Sequence, residues 1–222
     1  MRLPYLYSLQ HCPYAMRARL GILLSNEQVW VRAIKLNNKP DDFLAIAKKG
    51  TVPILILDDR QGPDHAVVVD ESLDIMLWAL KNSDPQNLLY SDNPNALPEM
   101  LTLIERFERD FVEVLEKYKY AGRFRDFSQL FYRRQCELFI QELEQRLDQH
   151  DYFMGPTPSL MDYALLPFIR QFAKVERQWY MQSQYVNVRD WLNRHLQQPL
   201  FTKAMAKFPL WVENEEAFLL GA

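Results

Sequence analysis

The chain has 222 residues, 48% hydrophobic and 25% charged, with two cysteines and a formal net charge of −3. A chain of this size and composition buries a substantial core, as one large domain or two small ones, and is not disordered. Two cysteines exclude a disulfide framework, the acidic balance offers no basic field for nucleic acid, no apolar run is long enough for a membrane span, and no secretion signal opens the sequence. The expected setting is a reducing cytoplasm.

In chain order, Leu3–Ser8 reads as a strand, Pro13–Leu24 as a helix, Val29–Ile34, Val52–Leu57 and Ala66–Val69 as further strands, and Ser72–Lys81 as a helix. Asp58 to His65, with Gly62-Pro63, reads as the hairpin loop joining the last two strands. The order β-α-β-(α)-β-β-α is an α/β signature. Residues 83–98 are polar and rich in Pro and Asn, as a linker would be, and divide a unit 1–82 from a unit 99–222. In the second unit apolar residues recur at helical spacing over 99–118, 127–150 and Tyr163–Val175, so it is expected to be all α.

Cys12-Pro13-Tyr14-Ala15 falls where the first strand gives way to the first helix. A helix N-terminus presents unpaired N–H groups and the positive end of the helix dipole, which favour a thiolate over a thiol. Pro13 suits a first helical position, which needs no donor. Ala15 stands where a C-x-x-C motif would carry its second cysteine, so redox chemistry here must draw on an outside thiol, glutathione being the obvious candidate. A lone cysteine in a reducing compartment can equally be a small buried hydrophobe.

Further along, Val52-Pro53 opens a strand. A cis bond there would bare the Val52 backbone to an extended peptide, although X–Pro statistics favour trans. Glu71-Ser72 opens a helix. Ser72 is by position an ordinary N-cap, and the pair could also hold a ligand's carboxylate and ammonium groups. Lys39-Pro40 could supply a cation to a second carboxylate, or Lys39 could simply be solvated. Ser159-x-x-Asp162 has the spacing of a capping box and reads as structural. Cys136, among apolar neighbours, reads as buried and inert; His11 could tune the adjacent thiol but reads as a loop residue, and Arg17 and Arg19 could add positive potential near Cys12 but read as members of a solvated helix face. No metal site is expected.

Taken together, Cys12-Pro13-Tyr14-Ala15, Asn38-Lys39-Pro40, Val52-Pro53, Glu71-Ser72 and Ser159-x-x-Asp162 resemble the cytosolic glutathione transferases, of the omega-like, cysteine-type subgroup. The resemblance implies a thioredoxin-like glutathione-binding domain followed by an all-α substrate domain. It makes Cys12 the nucleophile of glutathione-dependent thiol transfer and reductive deglutathionylation, with Tyr14, Lys39, Val52, Pro53, Glu71 and Ser72 at the glutathione site. Glutathione would be a co-substrate rather than a permanently bound cofactor, and the second substrate an electrophile or disulfide. A homodimer is implied, with neither nucleic acid nor membrane as a partner. Phe107, Phe111, Tyr118 and Phe124 are candidate walls of the second-substrate pocket, although aromatics at these spacings are more often plain core. The competing expectation is a non-catalytic interaction protein of the same fold, of the stringent starvation protein A type.

Overall fold

The computed structural model describes residues 3–121, 123 and 128–221. They form two compact units: the first joins the N-terminal residues through Gln86 to the segment from Gln198 onward, and the second spans Asn87–Gln197.

The first unit is a five-stranded mixed sheet in the order β4-β3-β1-β2-β5. Its strands are β1 (Tyr5–Ser8), β2 (Val29–Ala33), β3 (Ile54–Asp58), β4 (Val67–Val69) and β5 (Phe218–Leu220). β1 and β2 run parallel, and every other pairing is antiparallel. Period-2 alternation sorts the side chains onto two faces. Leu6, Val29, Val31, Leu55 and Leu220 pack with Ala18 and Ile22 of α1 (Pro13–Ser25) and Ile75 and Ala79 of α3 (Ser72–Asn82). Tyr5, Tyr7, Ile54 and Ile56 pack on the other face with Phe43 of α2 (Asp41–Ile46). α1 and α3 approach so closely that a Cβ on Gly21 would lie 2.7 Å from the Cα of Met76. Only glycine fits that crossing.

The expectation that 99–222 is all α fails at its end. β5 is a strand that pairs antiparallel with β2, Val29 opposite Leu220, and the two short helices before it, α10 (Pro199–Ala204) and α11 (Trp211–Asn214), also belong to the first unit. Without β5, β2 would be an open sheet edge, and covering such an edge satisfies its unpaired N–H and C=O groups. On the α2 face, one oxygen of Asp42 accepts from the Tyr7 hydroxyl (2.5 Å), Arg32 (3.0 Å) and the Trp211 indole (3.1 Å). The Arg32 guanidinium lies 4.0 Å from the ring centroids of both Tyr5 and Trp211. Cation–π stacking of this kind fastens the returning segment to the sheet.

The second unit contains α4 (Ala96–Phe107), a π-helical turn over Glu108–Val112, α5 (Glu113–Lys119), α6 (Gln129–Leu147), α7 (Leu160–Val175), α8 (Arg177–Gln182) and α9 (Val186–Leu196). The expected linker 83–98 is not free chain. Leu88 is fully buried, its carbonyl accepts from the Leu160 amide at 2.8 Å, and α4 already begins within the stretch.

Asp162 organises the start of α7. Its carboxylate accepts from the Ser159 amide (3.0 Å) and hydroxyl (2.6 Å), the Phe153 amide (3.2 Å) and the Trp191 indole (2.9 Å), while the Ser159 side chain caps the helix in return. Burial raises the Asp162 carboxyl above its ordinary value, and the donors around it pull the other way. Asp162→Ala strands several buried donors, each worth about 1–3 kcal/mol, so denaturant unfolding should show a loss of about 3 kcal/mol or more.

On α9, His195 is buried, with Nδ1 2.8 Å from the Trp191 carbonyl, and burial lowers it from 6.5 to about 4. The unfolded chain therefore binds a proton near pH 6.5 that the folded chain refuses until about pH 4. Stability is fully present above the unfolded value and falls as pH drops across that window, by about 3 kcal/mol from this group. Denaturation midpoints measured between pH 7 and 4 should fall less steeply in His195→Phe than in the parent.

Candidate active site

Cys12 is the N-cap of α1, with extended backbone (φ −69°, ψ 125°) and Pro13 opening the helix. Its side chain caps nothing, and the residue is half-buried, so the sulfur sits at the positive end of the helix dipole within reach of solvent. The Val52–Pro53 bond is cis, against the trans preference of X–Pro bonds in general, and the Cys12 sulfur lies 3.9 Å from the Val52 carbonyl oxygen.

Arg17 and Arg19 do not lie on a solvated face: they are 0% and 2% exposed. The Arg19 guanidinium donates to the Ser8 hydroxyl, to the carbonyls of Leu9 (3.2 Å) and Gln10 (2.7 Å), and through Nε to Ala204 of α10 (2.7 Å). It thereby holds the β1–α1 loop that presents Cys12. Burial lowers Arg19 to about 10, against a smaller opposing pull from Cys12, so it stays cationic at neutral pH. Arg17 points towards α3, with Nη1 3.4 Å from the Ser72 hydroxyl. The signal for both was present in the sequence, because Ala15, Met16, Ala18, Leu20, Gly21 and Ile22 leave α1 no polar face to solvate.

Glu71, not Ser72, is the N-cap of α3, and Ser72 is its first residue, 3% exposed. Exposed Glu71 is joined by Lys49 (2.5 Å), which also reaches Asp70 (3.3 Å) and is held above the ordinary lysine value by these hydrogen bonds. Sequence reading missed Lys49 and Asp70, although Lys48-Lys49 and Asp70-Glu71 are complementary charge pairs flanking two of the motifs. Tyr14 is exposed at the first turn of α1. Lys39 is half-buried before α2 and makes no ion pair among the described residues.

Of the two readings of the second unit's aromatics, the structure shows core rather than pocket wall. Phe107, Phe111 and Tyr118 are at most 4% exposed. Phe107 stacks on Phe111 at 4.3 Å, while Phe111 and Tyr118 both pack on Phe172. Helical spacing put them on one face, and that face meets α7 rather than a cavity. Phe124 lies outside the described residues. Cys136 is fully buried, and burial pushes its thiol up to about 12, which leaves it inert at neutral pH. His11 is exposed on the β1–α1 loop. Among the described residues no cluster of His, Cys, Asp and Glu could hold a metal, and no helix is long and apolar enough to cross a membrane.

Residues 6–87 match the model of the glutathione S-transferase N-terminal domain, and residues 102–194 that of the C-terminal domain. The chain belongs to the glutathione S-transferase family. Within the family it is similar to omega members. It is 28% identical over 171 residues to glutathione S-transferase omega-1 of Mus musculus, across 77% of this chain and 67% of that relative. To pyrimidodiazepine synthase of Drosophila melanogaster it is 28% identical over 221 residues, 96% of this chain and 84% of the relative. Its fold is similar to that of glutathione transferase Omega 2C from Trametes versicolor, with a TM-score of 0.74 at 15% identity over 93% and 94% of the two chains. A Pseudomonas fluorescens family member solved with two glutathiones bound gives 0.75 at 16% identity over 91% and 92%.

For this transferase, Arg19→Met should cost about 3 kcal/mol or more in denaturant unfolding, since a buried carbonyl set loses its charged donor. Arg19→Lys keeps a cation without the four-way reach. It should melt low as well, yet Cys12 should still react faster with anionic iodoacetate, relative to neutral iodoacetamide, than in Arg19→Met.

Proposed function

We propose that this protein is a glutathione-dependent thioltransferase in which Cys12 is the nucleophile. The observation that carries the reading is a half-exposed sulfur at the N-terminus of α1 beside the Val52 backbone, in a unit whose sequence holds no other cysteine to resolve a disulfide. The Cys12 thiolate attacks the glutathionyl sulfur of a mixed disulfide R–S–SG. The S–S bond breaks as Cys12–S–SG forms, and RS⁻ leaves with the electron pair and takes up a proton. A second glutathione thiolate then attacks the Cys12-bound glutathionyl sulfur, giving oxidised glutathione and returning the Cys12 thiolate.

In this reading the Val52 backbone pairs with the tripeptide main chain. Glu71 takes its ammonium, Ser72 and the N-terminus of α3 take the α-carboxylate, and Lys39 takes the glycyl carboxylate. Lys49 already neutralises Glu71 and must give way to the incoming ammonium. The homodimer of the family and a cytoplasmic location belong to the same proposal.

Cys12→Ser should abolish glutathione-dependent reduction of a small mixed disulfide while keeping glutathione binding. Residual turnover would assign the chemistry elsewhere. Glu71→Ala should weaken glutathione binding about tenfold by calorimetry, and Lys49→Ala should tighten it by removing the competing cation. No glutathione binding by the parent at millimolar concentration would overturn the reading.

A further inference from the structure

Arg17 carries a positive charge into the interior of the first unit, where it is 0% exposed. The crossing of α1 and α3 decides what that charge faces. Arg17 precedes Gly21 by four residues and Ser72 precedes Met76 by four, so each pair shares a helix face. Gly21 lets α1 meet α3 at Met76 with no room for a Cβ. One turn nearer the two N-termini, the same faces bring Arg17 against Ser72, with Nη1 3.4 Å from the hydroxyl oxygen. Both helices begin at the same end of the sheet, because β1 and β4, which lead into them, each lie antiparallel to β3.

Ser72, the first residue of α3, is 3% exposed. A hydroxyl has two lone pairs to accept with and one proton to give, whereas a guanidinium can only donate. Arg17 therefore takes the accepting side of the Ser72 oxygen, and among the described residues the Ser72 proton has no acceptor. A buried hydroxyl in that state costs free energy until an acceptor arrives. The first N–H groups of α3 also lack a side-chain cap, because Glu71 at the N-cap turns to Lys49 instead. We propose that Arg17 is a positioning residue for a ligand carboxylate at this helix start. By filling the accepting side of Ser72 it leaves the hydroxyl able only to donate, beside backbone groups that also only donate. The place is thereby built to take an anion and to refuse an ammonium. This rests on the reading in which Ser72 takes the α-carboxylate of glutathione. Arg17, acting through Ser72, then fixes which charge of the γ-glutamyl head goes to α3 and which to Glu71.

Calorimetry on the full chain compares glutathione with γ-aminobutyryl-cysteinylglycine, the same tripeptide without its α-carboxylate. The parent should bind glutathione about tenfold tighter or more. Ser72→Ala should cut that ratio to about threefold, the share left to the helix N-terminus. Arg17→Met should cut it to the same level, and the double variant Arg17→Met/Ser72→Ala no further, because the guanidinium acts through the hydroxyl. A merely structural loss would weaken both peptides alike and leave the ratio untouched. Circular dichroism checks the fold of each variant. If Arg17→Met does not fold, Arg17→Gln takes its place; its amide oxygen can accept the Ser72 proton, so the ratio should fall there too. A parental ratio in any of these single variants, or a further fall in the double one, would overturn the role of Arg17 while the thioltransferase reading stands. Binding of neither peptide by the parent would overturn that reading and this role with it.

Discussion

A guanidinium shut away from water must find acceptors for its N–H groups, and in the first unit those acceptors come from distant parts of the chain. Arg19 takes carbonyls from Leu9 and Gln10, a hydroxyl from Ser8 and a carbonyl from Ala204. One demand for solvation therefore fixes the loop before Cys12 and anchors the segment that returns as α10, α11 and β5. The loop that presents the thiol beside Val52 and the segment that leads into β5 are both tied to this one side chain. A lysine could carry the charge but could not span four acceptors, because the geometry of the fork is what is used.

The two halves of the site are built on different terms. At Cys12, fixed backbone dipoles and a buried cation act on one sulfur in a partly enclosed place, where electrostatic effects are weakly screened. At Glu71 the groups are exposed, the ion pair with Lys49 is solvated, and each charge counts for less. The sulfur is thus set among fixed partners, while the charges around Glu71 are free to exchange partners with solvent.

Much of this was legible in the residues. The continuous apolar run Tyr5, Leu6, Tyr7 marks a strand buried on both faces, and the strand-to-helix junction locates Cys12. The S-x-x-D spacing likewise marks the box at α7. What escaped has physical reasons. Arginines are normally solvated, so the burial of Arg17 and Arg19 is visible only through the apolar company they keep. Phe218–Leu220 is too short for periodicity to speak, and its partner Val29–Val31 is far away in sequence. Helical spacing placed Phe107, Phe111 and Tyr118 on a common face but could not tell a face that meets α7 from one that lines a cavity.

The β5 strand bears on how the molecule is made. Synthesis runs from the N-terminus, so β1 to β4 and α1 to α3 leave the ribosome before any of the second unit, while α10, α11 and β5 follow only after all of it. During that interval β2 is an uncovered edge, Arg32 lacks the Trp211 ring, and the Cys12 loop lacks the Ala204 carbonyl. The first unit therefore has all of its elements only once the helices of the second have been translated. The surroundings of Cys12 are thus drawn from both ends of the chain, and the loop that carries it gains its last anchor, the Ala204 carbonyl, from residues made after the whole second unit.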